Sequence, residues 1–266
     1  MLLSACAASE TKTYHAYSND FLIAHAGGGV VNDNYTNSLE ALNQSSENGF
    51  QYIEIDFTSL EDGNLVLLHG WKAAFEGYYS QRRSTKFPFE KKELAPVSSI
   101  EDFKNLKMRG RLSRGPLSQM SLNDLLTWLE ENPNIYIITD FKESNYLDLL
   151  LKIKAQSERL QPRFIPQIYK FEDYEKVREM GYTKVILTIY KMRKSIPEVL
   201  SFGQSKNLFA ITIPKNRINN EASRYLLQSD LLVFTHTVNS LEEARNLTDM
   251  GVDGFYTDNL YPLPTK

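Results

Sequence analysis

The 266-residue sequence predicts an α/β protein, a (β/α)8 TIM barrel, on three observations. Short apolar runs of strand character alternate with amphipathic stretches of helical period from Phe21 to the C-terminal end. The strand–helix–strand rhythm recurs about eight times within roughly 250 residues, the size such a barrel needs. No G-x-G-x-x-G opens a helix after the first strand, which counts against the runner-up, a doubly wound open sheet.

The strand candidates are, in order, FLIAHA (21–26), YIEIDF (52–57), NLVLLHG (64–70), IYIITDF (135–141) and FIPQIY (164–169). KVILTIY (184–190), LFAITI (208–213), LLVFTHTV (231–238) and GFYTDN (254–259) follow. Between them NSLEALNQ, SLNDLLTWLEEN, YLDLLLKIKAQSERL, FEDYEKVREMG, EASRYLLQ and SLEEARNLTDMG place apolar residues at helical spacing. Gly181 and Gly251 each stand where a helix stops before the next strand. Repetition of this kind implies a parallel sheet.

Residues 1–20 read as a tail and 21–266 as one barrel domain. Cys6 is the sole cysteine, so no internal disulfide or cysteine-based metal site can form. Leu3-Ser4-Ala5-Cys6 resembles the lipobox of bacterial lipoproteins, although the charged and most of the apolar part of a signal peptide are missing. A lipidated Cys6, with the polar tract 8–20 as tether, implies membrane association and a cell-envelope or extracytoplasmic location; a cytoplasmic one is the alternative. A formal charge of −3 gives no reason to expect a nucleic-acid partner, and no run approaches the roughly 18 apolar residues of a membrane span.

The rhythm breaks between Trp71 and about Met120. There eleven lysines and arginines face five acids, although the chain as a whole is acidic. A long insertion after a barrel strand usually covers the active-site face, so a lid that attracts an anionic substrate is expected, with a solvated excursion as the plainer reading.

Barrel chemistry sits at the C-terminal ends of the strands. Those ends carry His25, Glu54, Asp56, His69, Asp140, Lys142, Gln167, Tyr169, Lys215, His236, Asn239, Asp258 and Asn259. Glu54 and Asp56 are two apart and share one face of their strand. Two inward carboxylates repel and resist burial unless a cation neutralises them. With Asp140 they offer three hard oxygen ligands, suited to Mg2+ or Ca2+. His25 and His69 are candidates for general base and general acid, because imidazoles titrate near neutrality. Lys142 points the way Asp140 does and suits an anionic phosphoryl oxygen. Gly27 and Gly28 could offer backbone N–H groups to the same anion. Tyr169, Lys215 and His236 complete the candidate substrate-binding set.

These residues resemble the glycerophosphodiester phosphodiesterases. The resemblance rests on His25, Asn37-Ser38-Leu39-Glu40-Ala41, Glu54-x-Asp56 and Asp62-Gly63-x-Leu65-Val66-x-x-His69. Thr237-Val238-Asn239 and Gly251-Val252-Asp253-Gly254-Phe255-Tyr256-Thr257-Asp258-Asn259 extend it over nearly the whole chain. It implies a TIM barrel that hydrolyses phosphodiesters with a divalent metal. By position His25 and His69 match the acid/base histidines, and Glu54, Asp56 and Asp140 the metal ligands, the last usually glutamate. Asp140-x-Lys142 is also similar to related metal-dependent phospholipases, whose lysine contacts phosphate.

The chain departs from the pattern at several positions. Ala26 replaces the arginine that usually follows the first histidine, and Tyr35-Thr36-Asn37-Ser38 replaces P-E-N-T. Gly70 and His236 replace an aspartate and a tryptophan. Arg82 or Arg83 of the insertion is the expected substitute cation. The implied substrate is a small-molecule or lipid-derived phosphodiester. The alternatives are a cyclising phospholipase-type reaction and a non-catalytic phosphate-binding barrel. Metal-dependent amide hydrolysis is disfavoured because His25-Ala26-Gly27 lacks the His-x-His it requires.

Overall fold

The computed structural model describes residues 15–17, 20–30, 33–71, 96–110 and 115–263. Cys6, Arg82 and Arg83 lie outside the described residues, so the anchor and the substitute arginine fall there too. Among the described residues no helix is long and apolar enough to cross a membrane.

The first elements are β1 (His15–Tyr17), β2 (Phe21–Ala24), α1 (Leu39–Glu47), β3 (Tyr52–Ser59) and β4 (Leu65–Leu67). The insertion contributes α2 (Ile100–Asn105), β5 (Met108–Arg109) and β6 (Pro116–Leu117). Then come α3 (Leu122–Glu131), β7 (Tyr136–Phe141), α4 (Tyr146–Gln156), β8 (Phe164–Ile168), α5 (Asp173–Glu179) and β9 (Ile186–Thr188). The chain continues through α6 (Ile196–Ser205), β10 (Ala210–Pro214), α7 (Lys215–Ile218), α8 (Glu221–Leu227) and β11 (Val233–His236). It ends with α9 (Leu241–Asp249), β12 (Gly254–Thr257) and β13 (Leu260–Pro262).

Eight parallel strands close the barrel in the order β2, β3, β7, β8, β9, β10, β11, β12, with β12 returning to β2. The fold is the predicted (β/α)8 barrel. The run 64–70 is not one of its staves. Its core, β4, folds back antiparallel on the upper half of β3, pairing Phe57 with Leu67 and Ser59 with Leu65. Asp62-Gly63 makes the turn, so the spacing is that of a hairpin and not of a β/α unit.

Each strand sends every second residue inward. Near the N-terminal ends, Phe21, Tyr52, Tyr136 and Phe209 plug the barrel, with Tyr52 and Tyr136 stacked at 5.6 Å and Lys184 4.0 Å from the Tyr136 ring centroid. Ile23, Ile138, Ile165, Ile186, Ala210 and Phe234 fill the interior beside them. Two residues further along each strand the inward positions turn polar: His25, Asp56, Asp140, Gln167, Thr188 and His236. The intervening residues, such as Leu22, Ile53, Ile55, Phe57, Ile137 and Phe141, face the helices and form the larger core.

Helix starts follow local chemistry. Ser38, Ser121 and Ser195 cap α1, α3 and α6, the last two with reciprocal boxes to Asp124 and Glu198. The helical spacing reading omits α6, whose sequence holds Pro197 and Gly203. Pro197 lies in the first turn, where no N–H is needed. A side chain at 203 would sit 2.6 Å from Leu231, so glycine lets the helix lie close to its neighbours.

The insertion is partly visible. Phe103, Met108 and Leu117 pack with Val30, Ala41, Leu60, Val66 and Leu68 into a small satellite core, and Trp71 donates its indole N–H to the Ser59 carbonyl at 3.2 Å. Ordered structure also reaches into the expected tail. β1 pairs with β13, and Tyr17 packs edge-on against Phe255 and bonds Thr248 at 2.8 Å.

Candidate active site

A cavity of about 150 Å3 opens at the C-terminal end of the barrel. His25, Tyr35, Glu54, Asp56, His69, Asp140, Lys142, Gln167, Thr188, Tyr190, His236 and Tyr256 line it. The register of β3 against β7 sets Asp56 beside Asp140, and alternation brings Glu54 onto the same face. Carboxylate oxygens of Glu54, Asp56 and Asp140 lie within 4.8 Å of one another, all three residues buried.

Each carboxylate is oriented. The Ala26 N–H donates to Glu54 Oε2 at 2.7 Å. Asn37 Nδ2 donates to Asp56 Oδ2 at 3.0 Å, and its Oδ1 accepts from the Asp56 N–H at 3.0 Å. Asp140 accepts from the Phe141 N–H at 2.9 Å, from the Tyr169 hydroxyl and from Lys142. Lys142 Nζ also lies 3.7 Å from Asp56. One ammonium beside three carboxylates leaves the cluster short of positive charge, and all-oxygen donors at this spacing fit a hard divalent cation.

Electrostatics records the same deficit. Burial, and then the charge of Asp56, pushes Glu54 up to about 8 despite the opposing pull of His25. Burial raises Asp140 as well, but the Lys142 ammonium and the Tyr169 hydroxyl outweigh it and hold that carboxyl below its ordinary value. His25 Nδ1 lies 3.0 Å from Asp258 Oδ1. Burial disfavours its charged form, yet the bond to Asp258 and the charges of Glu54, Asp258 and Asp56 lift it to about 9. Asp258 is fixed in turn by Asn239, at 2.8 Å from its side chain and 2.8 Å from its backbone N–H. His69, 3.7 Å from Asp56, is lowered by burial, with Asp56 opposing and Lys142 assisting.

Native protons on Glu54 and His25 that the unfolded chain releases near 4.5 and 6.5 make stability fall as pH rises. With chelator present, the melting temperature is expected to drop between pH 5 and pH 9. A flat or rising profile contradicts this reading of the cluster.

Several expected ligands are placed elsewhere. Gly27 and Gly28 do not line the cavity. They turn the chain with φ of 87° and 94°, and Gly28 spends its N–H on the His25 carbonyl at 2.8 Å. A Cβ at 28 would stand 2.2 Å from Ser45 Oγ, so these glycines seat α1 against the turn. Tyr169 stands behind Asp140 as its hydrogen-bond donor. Lys215 bonds Glu243 at 2.7 Å and is absent from the lining. His236 does line the cavity. Burial first, then the charge of His25, pushes it down to about 4, so it is neutral at ordinary pH.

The residue pattern overlooked Tyr35, Thr188, Tyr190 and Tyr256. Thr188 and Tyr256 share the inward parity of Ile186 and Gly254, a signal available in the alternation. Tyr35 and Tyr190 sit in loops, where no period operates. The Tyr35 ring stands edge-on to both imidazoles, 4.3 Å from His25 and 5.7 Å from His69.

Residues 26–261 match the model of the glycerophosphoryl diester phosphodiesterase family. Among solved structures, a glycerophosphodiester phosphodiesterase from Parabacteroides distasonis is 18% identical, with a TM-score of 0.64 over 91% of this chain and 94% of that one. A second protein of that organism, a glycerophosphoryl diester phosphodiesterase, is 15% identical, with a TM-score of 0.67 over 94% and 90%. The glycerophosphodiester phosphodiesterase of Thermotoga maritima is 18% identical, with a TM-score of 0.63 over 92% and 96%. At these identities the structural likeness is one of fold. No curated protein sequence matches significantly.

Proposed function

This chain belongs to the glycerophosphoryl diester phosphodiesterase family and is a phosphoric diester hydrolase, and we propose that it cleaves a glycerophosphodiester by metal-assisted, two-histidine acid/base catalysis. The observation that carries the reading is the buried trio Glu54, Asp56 and Asp140 facing His25 and His69 across one cavity. The trio would hold Mg2+ or Ca2+, which supplies Lewis-acid polarisation of the phosphoryl oxygens.

The protein's own groups divide the remaining work. Lys142 meets a non-bridging oxygen and offsets charge as the transition state forms. Asp258 holds His25 through Nδ1 and so leaves Nε2 toward the cavity. With the Glu54 and Asp56 charges offset by a cation held in the trio, the lift on this imidazole would fall and Nε2 would be free to take the proton of the attacking oxygen, the orienting logic of a carboxylate–imidazole pair. That oxygen, from water or a neighbouring substrate hydroxyl, forms the new P–O bond. His69, on the partly exposed side and drawn toward its charged form by Asp56 3.7 Å away, gives a proton to the departing alkoxide as the old P–O bond breaks.

Bis-p-nitrophenyl phosphate gives the simplest test. Turnover with Mg2+ or Ca2+ is expected, with a loss of about 10²-fold or more under EDTA and recovery on adding the ion back. Turnover indifferent to chelation contradicts the metal assignment.

A further inference from the structure

We propose that Tyr35 is the positioning residue of the two imidazoles: its ring stands between His25 and His69 as a fixed spacer and holds His69 in the orientation that proton donation requires. The proposal rests on the acid/base reading above, because it names what keeps the donor in place.

Among the described residues other than glycine, only Ala26, Tyr35 and Asn37 hold φ in the left-handed region, at 49°, 61° and 48°. That region is unfavourable for any residue with a Cβ and persists where the surroundings impose it, commonly at functional sites. Two of the three have their purpose on view. Ala26 turns its N–H to Glu54, and Asn37 bonds Asp56 through both polar atoms of its amide. The Asn37 N–H ties the two turns together at the Ala26 carbonyl, 2.9 Å away. The same backbone conformation at Tyr35 delivers a ring to the cavity wall, beside both histidines. Proline, which the glycerophosphodiester phosphodiesterase pattern has at this position, is locked near about −65° and could not follow that course.

The last torsion of a histidine is broad, so an imidazole needs outside contacts to fix its plane. A half-turn exchanges ring nitrogen for ring carbon and takes the proton away from the leaving oxygen. His25 is held by its 3.0 Å bond to Asp258. His69 stands 3.7 Å from Asp56, beyond hydrogen-bond length, so that charge attracts the ring without setting its plane. The Tyr35 ring meets His25 at 4.3 Å and 78°, and His69 at 5.7 Å and 71°. Both contacts are edge to face, an arrangement that aromatic rings favour and that a turned imidazole would lose. The spacer is thus braced on the anchored imidazole and braces the other. Burial, and then the charges of Glu54, Asp258 and Asp56, raise the phenol above its ordinary value against the pull of Lys142, so the spacer stays uncharged.

The test measures kcat and KM for Tyr35→Ala, Tyr35→Phe, His69→Ala and the double variant Tyr35→Ala with His69→Ala. The substrates are bis-p-nitrophenyl phosphate and whichever of glycerophosphocholine, glycerophosphoethanolamine and glycerophosphoglycerol the unaltered chain turns over fastest. Tyr35→Ala is expected to lower kcat on the glycerophosphodiester by about 10- to 10²-fold with KM nearly unchanged. Its loss on bis-p-nitrophenyl phosphate should be much smaller, because p-nitrophenolate leaves without a proton. Tyr35→Phe keeps the ring and is expected to recover most of the loss. Once His69 is gone, Tyr35→Ala should cost less than about threefold more, since the two act as one unit. A ring that only filled space would slow both substrates alike, and its loss would multiply with that of His69. Tyr35→Gly accepts the left-handed backbone freely, so it keeps the loop if alanine disturbs it, and is expected to melt no lower than Tyr35→Ala while staying as slow. Equal losses on the two substrates, multiplying losses, or a phenylalanine variant as slow as the alanine one overturn the positioning role and leave the hydrolytic reading in place. Undiminished turnover by His69→Ala overturns the acid/base reading and the positioning role with it. So does an unaltered chain that turns over none of these diesters.

Discussion

Glu54→Gln is expected to abolish turnover, by about 10³-fold, while making the metal-free protein more stable. The amide keeps the shape of the side chain and an oxygen for the Ala26 N–H. It removes one of three buried negative charges, and with it a divalent-cation ligand. In the unaltered chain that carboxyl is pushed up to about 8 from 4.5, chiefly by burial. At pH 7 to 8 the native state must therefore strain against ionisation that the unfolded chain enjoys, a cost of about 1–3 kcal/mol when discounted for relaxation. Glutamine carries no such cost, so the chelated variant should melt a few degrees higher at pH 8 and no higher at pH 4.5. Adding Mg2+ or Ca2+ should raise the melting temperature of the unaltered chain and leave the variant nearly unmoved. Retained turnover, or equal melting at pH 8, would sink the view that these carboxylates are a metal cradle first and a structural element second.

The second large effect separates the two histidines by leaving group. His69→Ala is expected to lower kcat/KM for a glycerophosphodiester by about 10²–10⁴-fold, the usual worth of a positioned proton donor. Its loss on bis-p-nitrophenyl phosphate should be far smaller, because p-nitrophenolate departs without a proton. His25→Ala should cripple both substrates alike, since the attacking oxygen must lose its proton in either case. If the sensitivity to leaving group follows His25 instead, the roles are exchanged. If neither variant discriminates, acid catalysis is not carried by these imidazoles.

Most of the barrel was legible because it depends on period. Strands such as 52–57 and 135–141 alternate, and the intervening helices repeat at their own spacing. Glu54-x-Asp56 was legible for the same reason, since parity alone puts both carboxylates on one face. That Asp56 meets Asp140 follows from strand register, which pairs residues of distant segments and leaves no local trace. The β4 hairpin passed for a further stave because an apolar run does not declare its direction. Lys215 misled for a related reason. It follows β10, but α7 begins at that residue and its side chain meets Glu243. The sequence position of Tyr169 points to a substrate contact, whereas its hydroxyl donates to Asp140, a distinction that depends on which side of Asp140 the hydroxyl lies. Tyr35 and Tyr190 come from loops, whose course is set by packing and not by repetition.

On β2 and β7 the inward column runs from aromatic plug through aliphatic filling to reactive rim, one residue in two: Phe21, Ile23, His25 and Tyr136, Ile138, Asp140. This arrangement makes the protein forgiving of replacement and intolerant of slippage. A changed rim residue alters the chemistry of one stave and leaves the plug below it undisturbed. A single residue gained or lost within a stave exchanges its two faces beyond that point, turning ionisable groups toward the helices and oily ones toward the substrate. Divergence of the reaction on this scaffold is thereby channelled into substitutions at the rim and length changes in the loops, while stave length stays fixed.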